Sequence, residues 1–426
     1  MRSSNQNRRD VLKSLTTLAA ASSIAGAIKP SSAGAAVADP GLSPALGQVD
    51  QVLRQAVNAG TVPGIVAIGA TDKGIVYEGA FGPSITADSV FWIASMTKAV
   101  TATACMQLVE QGKLQLDQEM GKLLPQLESP KVLEGFDSNG APKLRPAKTA
   151  ITLRHLLTHT AGFTYSIWSE PMTQFEKVTG TPFIGACENA SFNAPVEFDA
   201  GDRWQYGINI DWVGRLVEEA SGQSLDAYFA EHITGPIGMK DTGFTVSLEQ
   251  RTRQAVVHQR EVDGPLTPQP FEVPLEREFL AGGGGLYSTA SDYLRFLQAL
   301  LHGGSLNGAR ILKPETVAQM GENQIGGLQA GVLKANWPLL TNDVDFFPGA
   351  RVRWGLGCML TLDPGPNGRS AGSLTWAGIF NTYYWLDPSK QVAGLIMTQI
   401  LPFADPATLA LYGAFERGIY ATIGET

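Results

Sequence analysis

Apolar residues recur at helical spacing in VDQVLRQAVNAG, residues 49–60, and the run stops at Gly60, which predicts a helix. Two short apolar runs, GIVAIGA at 64–70 and GIVYEGAFG at 74–82, flank Asp72-Lys73-Gly74 and predict a β-hairpin. Helical spacing returns from Ser95 to Gln111, with Gly112 as the stop. TLRHLLTHTAG at 152–162 predicts a short helix with Thr152 as its N-cap. INIDWVGRLVEEASG at 208–222 predicts another, closed by Gly222, and STASDYLRFLQALLHGG at 288–304 a further one, capped by Ser291 or Asp292. Near the end, TYYWLDP at 382–388 and QVAGLIMTQI at 391–400 predict two strands around Pro388-Ser389-Lys390, and residues 405–423 a closing helix. Residues 165–200 show no period and are rich in Pro, Gly and aromatics. They predict long loops around a cleft, and residues 321–350 predict pocket-shaping loops of the same kind.

Strands at both ends with helices between them imply an α/β chain. Its antiparallel sheet comes from N- and C-terminal segments, about 48–94 and 350–426, flanked by helices, with a mostly helical region inserted over about 95–349. At 426 residues, 44% hydrophobic and 17% charged, the composition is that of a folded protein with a large core. The first 38 residues differ from the rest. Arg8-Arg9 precede a small-residue apolar run at 15–28, and Ala36-Val37-Ala38 forms a cleavage-like triplet. This order predicts a twin-arginine signal peptide over 1–38, an exported chain over 39–426, and a periplasmic or secreted location. The apolar run is too short and too weakly apolar to span a bilayer. The leader carries a net +4, leaving −12 on the remainder, and no basic stripe that would point to nucleic acid.

Cys105, Cys187 and Cys358 are widely separated and have no metal-ligand spacing. His155 and His159 stand four apart, but Leu156 follows His155 where a zincin needs Glu, so they read as structural. No metal or other cofactor is called for. The chemistry instead points to IASMTK, residues 93–98, which sets Ser95 three residues before Lys98. Positions i and i+3 share a helix face with Cβ atoms about 5–6 Å apart, so the amine can reach the hydroxyl. A buried lysine loses the hydration of its ammonium and is driven toward the neutral amine, which could take the serine proton. Without that setting, Ser95 would be a plain N-cap and Lys98 a solvated side chain. There is no G-x-S-x-G elbow, so the α/β-hydrolase arrangement is not available.

Five segments in order resemble the penicillin-recognising serine hydrolases, in the branch of class C β-lactamases and family VIII carboxylesterases. They are SMTK (95–98), ITLRHLLTHTAGF (151–163), GDRWQYGINIDWVGRLVEEASG (201–222), AGGGGLYSTASDYLRFLQALLHGG (281–304) and LTWAGIFNTYYWLDP (374–388). The resemblance implies a β-lactamase-like fold over the exported part and an acyl-enzyme mechanism. Ser95 would attack, Lys98 and Tyr206 would share the base role as a coupled pair, and the backbone N–H groups of Ser95 and Ile379 would form the oxyanion hole. Two departures bear on substrate. Ile208 stands where Y-x-N motifs carry Asn, and Trp376-Ala377-Gly378 stands where lactamases and peptidases carry K-[ST]-G. Losing that cation and hydroxyl removes about 1.5–3 kcal/mol of carboxylate recognition and leaves an indole and a methyl in the substrate pocket. The expectation is a carboxylesterase for small or medium neutral esters. The alternatives are a β-lactamase or D-stereospecific peptidase acting on amides, an acyltransferase to an alcohol, and a catalytically dead cell-wall binding module. Gly282–Gly285 has no G-K-[ST] after it and is expected as a tight backbone crossing near the cleft, not a phosphate loop.

Overall fold

The computed structural model describes residues 43–261 and 265–424. The leader expected over 1–38 lies outside them. A helix α1 (Pro44–Asn58) opens the described chain. It is N-capped by Ser43, whose hydroxyl accepts from Leu46 N–H at 3.3 Å, and it buries Leu46, Val49 and Leu53. Strands β1 (Ile65–Thr71) and β2 (Gly74–Phe81) follow as the expected hairpin. Five strands close to the C-terminus complete the sheet: β3 (Val352–Trp354), β4 (Met359–Thr361), β5 (Leu374–Gly378), β6 (Thr382–Asp387) and β7 (Val392–Met397). The order is β3-β4-β5-β6-β7-β1-β2, and each strand pairs antiparallel with its neighbours.

The N-terminal hairpin joins the C-terminal meander through β1 and β7, with Val66 opposite Met397. Every residue of β1, β6 and β7 is buried, because helices cover both faces of the middle of the sheet. The closing helix, Pro406–Gly424, lies on one face: its Phe415 ring is 5.6 Å from Tyr77 and 5.4 Å from Trp385. The other face carries the inserted helices. The most buried is α2 (Thr97–Glu110), with twelve of its fourteen residues buried. An apolar stripe cannot be read from a helix wrapped on all sides, so its end signals are more informative than its period.

Leu153–Leu157 forms the short helix capped by Thr152, which accepts from His155 N–H at 3.3 Å. Asn209–Ser221 forms the next expected helix and stops at left-handed Gly222. Two expectations need correction. The helix Ala290–Leu301 is capped by Thr289, which accepts from Asp292 N–H at 3.2 Å, and not by Ser291 or Asp292, which sit in its first turn. Residues 165–200 are not all loop, since Glu170–Thr179 is a helix. It is capped by Ser169, ended by left-handed Gly180, and buries only Met172 and Phe175, too few anchors to show a period.

Candidate active site

Ser95 sits on a 3₁₀ turn, Ala94–Met96, between the two-residue strand Phe91–Trp92 and α2. Ala94 is left-handed, with φ of +44°, a conformation that costs an alanine about 1–2 kcal/mol and persists only where the surroundings hold it. The surroundings here are several elements. Ile93 N–H donates to Leu286 O at 3.0 Å, the Thr97 hydroxyl accepts from Leu286 N–H at 3.1 Å, and the Tyr293 hydroxyl donates to Met96 O at 2.9 Å. On the sheet side, a Cβ on Gly378 would collide with Ile93 O, so the end of β5 presses directly on this turn. That contact sets Ile379, which is half-buried, beside the serine's turn.

Lys98, one helical turn on, is fully buried. Its Nζ lies within hydrogen-bond distance of three oxygens: Ser95 Oγ at 3.1 Å, the Tyr165 hydroxyl at 3.1 Å and Gly283 O at 2.5 Å. Burial pushes the Lys98 pKa down to about 7, against the opposing pull of the Asp211 carboxylate. Tyr206 is buried and lies beside the Ser95 hydroxyl. Burial pushes its phenol above the ordinary value, while Ser95 and Trp376 pull the other way. Lys98 Nζ stands 4.8 Å from the centroid of the Tyr206 ring and makes its hydrogen bonds elsewhere.

Trp376 does more than wall the pocket. Its indole N–H donates to the Tyr206 oxygen at 2.9 Å, which leaves the phenolic hydrogen free to point elsewhere. Ala377 and Gly378 follow it on β5, and both are buried. Asn209, one place past the position where the motif has Asn, does not reach the serine. Its Nδ2 meets His159 Nδ1 at 3.0 Å and donates to Phe163 O at 3.1 Å. His159 is fully buried and driven well below its usual pKa by burial and by Lys98, so it is a neutral packing partner 4.6 Å from the Tyr206 ring. Among the described residues there is no His, Cys, Asp or Glu cluster able to hold a metal, and all three cysteines are free and buried.

The structure adds residues that sequence reasoning did not single out. Tyr165 and Asp211 complete the surroundings of Lys98, with the Tyr165 hydroxyl 3.5 Å from Asp211 Oδ2. Half-buried Trp168 lies 5.4 Å from Tyr206, and half-buried Phe346 lies 6.3 Å from Trp376. They come from the two segments expected to shape the pockets. The tetraglycine is indeed a close crossing, since a Cβ on Gly283 would collide with the Asp211 carboxylate.

A sheet split between the chain's ends and a buried lysine against a serine at a helix start together define a fold class. The chain belongs to the beta-lactamase family, whose sequence model matches residues 49–417. It is similar to monacolin J acid methylbutanoyltransferase of Aspergillus terreus, at 31% identity over 91% of this chain and 97% of that protein. It is also similar to lovastatin esterase of Penicillium rubens, at 28% identity over 87% of this chain and 98% of that protein. The structure of unliganded simvastatin synthase from Aspergillus terreus superposes with a TM-score of 0.76 at 29% identity, covering 90% of this chain and all of that one. The family is one of serine hydrolases, and its members similar to this chain include both acyltransferases and an esterase. Among the described residues no helix is long and apolar enough to cross a membrane.

Proposed function

We propose that the protein cleaves neutral carboxylic esters through an acyl-enzyme on Ser95. The observation that carries this is the fully buried Lys98 amine 3.1 Å from the Ser95 hydroxyl, with its pKa lowered to about 7. As the neutral amine, Lys98 takes the proton while Ser95 Oγ attacks the carbonyl. The oxyanion that forms is received by the backbone N–H groups of Ser95 and Ile379, the first at a helix start. As the C–O bond breaks, the leaving alkoxide takes the former Ser95 proton from Lys98, directly or through the Tyr206 hydroxyl. Water then repeats the same steps to release the acid. Within the coupled pair that the family resemblance implies, we divide the base role. Lys98 is the base, and Tyr206, kept protonated by burial, is a relay aimed by the Trp376 indole.

An indole, a methyl and bare backbone at 376–378 supply no cation for a substrate carboxylate, which favours neutral acyl groups over penicillin-like ones. A second reading is transfer of the acyl group to an alcohol, and the relatives support each reading in turn. One is named for methylbutanoyl transfer and another for ester cleavage.

The test is p-nitrophenyl butyrate turnover with and without an added alcohol, beside Ser95→Ala. Wild type is expected to release p-nitrophenol and free acid, and Ser95→Ala to do neither above background. Accumulation of the new ester at the expense of acid would assign transfer, and faster turnover of nitrocefin than of the ester would overturn the ester reading. Trp376→Phe, which keeps the ring and removes the N–H, is expected to lower kcat about fivefold, the worth of one hydrogen bond of about 1 kcal/mol. Its KM should stay nearly unchanged. Residues 1–38 are further proposed to direct export and to be removed after Ala38. N-terminal sequencing of the mature protein checks this.

A further inference from the structure

Lys98 faces three oxygens, but a neutral amine has only two N–H groups and one lone pair. The Gly283 carbonyl can only accept, so one N–H is committed to it. The remaining N–H and the lone pair are divided between two hydroxyls, Ser95 and Tyr165, each at 3.1 Å. If Tyr165 donates to the amine, the lone pair is used up and the Ser95 proton has no base to go to. If Tyr165 accepts from the amine, the lone pair is left for Ser95. The choice depends on where the Tyr165 hydrogen points.

Asp211 bears on that choice. It is 2% exposed, a carboxylate only accepts, and its Oδ2 is the other neighbour of the Tyr165 hydroxyl, at 3.5 Å. Its Oδ1 accepts from Gly283 N–H at 2.8 Å, so the same side chain fixes the residue whose carbonyl holds the first N–H of Lys98. The four groups close a ring in which Lys98 donates in both directions and Asp211 accepts from both sides.

Resting on the reading of Ser95 and Lys98 above, we propose that Asp211 and Tyr165 are positioning residues. They set the direction of the hydrogen bonds at Lys98 so that its lone pair faces the Ser95 hydroxyl. Burial and Asp211 both hold the Tyr165 phenol well above its usual pKa, so it keeps the proton the scheme needs. The other titratable groups facing the pair are Tyr206, whose ring packs on Lys98, and neutral His159; Cys187 senses the same carboxylate.

The full chain is assayed with p-nitrophenyl butyrate and labelled with a fluorophosphonate. Asp211→Asn still offers an oxygen to Gly283 N–H but turns an NH₂ toward Tyr165, which reverses the Tyr165 hydrogen onto Lys98. Its kcat is expected to fall about 100-fold with KM little changed. Tyr165→Phe removes the competing donor and is expected to lose only about five- to tenfold. The double variant Asp211→Asn/Tyr165→Phe is then expected to be about tenfold more active than Asp211→Asn alone, because no hydroxyl remains to occupy the lone pair. Two losses of mere packing would add instead. Removing the carboxylate also takes away a charge that favours the ammonium, so the acid limb of Asp211→Asn should move to lower pH while that of Tyr165→Phe stays at about 7.

A double variant no better than Asp211→Asn, or an Asp211→Asn acid limb that stays or moves up, overturns the proposal. If Asp211→Asn does not fold, Tyr165→Phe decides: a loss as large as that of removing Lys98 would make the phenol itself indispensable and sink the idea. Turnover or labelling surviving in Ser95→Ala would defeat the underlying site reading. Labelling confined to Ser95 without the rescue would defeat this inference alone.

Discussion

Lys98→Met is expected to lower kcat on p-nitrophenyl butyrate by about 10³-fold while leaving the protein folded. Methionine keeps the length and apolar stem of lysine inside a helix buried on nearly every side, so the packing of α2 survives. What goes is, among the described residues, the only base beside Ser95 whose pKa lies near neutrality. The wild-type pH profile carries the same information. Below about 7 Lys98 is an ammonium with no lone pair, and above it a free amine. The kcat/KM should therefore rise with pH through about 7 and then level, since burial places the Tyr206 phenol above its ordinary range. A profile flat from pH 5 to 9 would remove Lys98 as the base. Circular dichroism and a thermal melt on Lys98→Met separate lost chemistry from lost structure.

Arg369→Met is expected to destabilise the fold by about 3–5 kcal/mol, because it strands a buried carboxylate. The side chains of Arg369 and Glu416 are 1% and 3% exposed. The guanidinium donates to both Glu416 oxygens, at 2.5 and 2.9 Å, and to the Tyr412 hydroxyl at 3.1 Å. Its Cζ also lies 5.2 Å from the centroid of the Phe347 ring. Arg369 is in the loop that leads into β5, and Glu416 is on the closing helix, so the pair anchors the strand that carries Trp376 and leads to Ile379. Urea denaturation measures the loss. Arg369→Met/Glu416→Leu, which removes both charges, should recover most of it, since the penalty lies in the unpaired ion and not in the missing bridge. A double variant as unstable as the single one would show that the packing around the guanidinium matters more than the charge.

The parts of this protein legible in its residues are those set by short-range geometry. Ser95 and Lys98 stand three apart, and a helical turn brings them together whatever the rest of the chain does. The hairpin of β1 and β2, the stop at Gly222 and the cap at Thr152 follow from turn and cap chemistry within a few residues. Tyr206, Ile379 and Trp376 could be nominated only through likeness to a family, because no local rule joins them to residue 95. The helix Glu170–Thr179 has no legible signal because two buried anchors cannot outweigh a Pro- and Gly-rich neighbourhood.

The residues alone determined the two halves of a split sheet, the helices between them, and a serine with an amine one turn away. Tertiary structure decided what the amine is. Water removed on all sides lowers its pKa, and Asp211, Tyr165 and Gly283, each from a distant segment, take up its hydrogens. Desolvation and hydrogen-bond direction depend on everything packed around a group, and one stretch of sequence records only what lies within a turn or two of it.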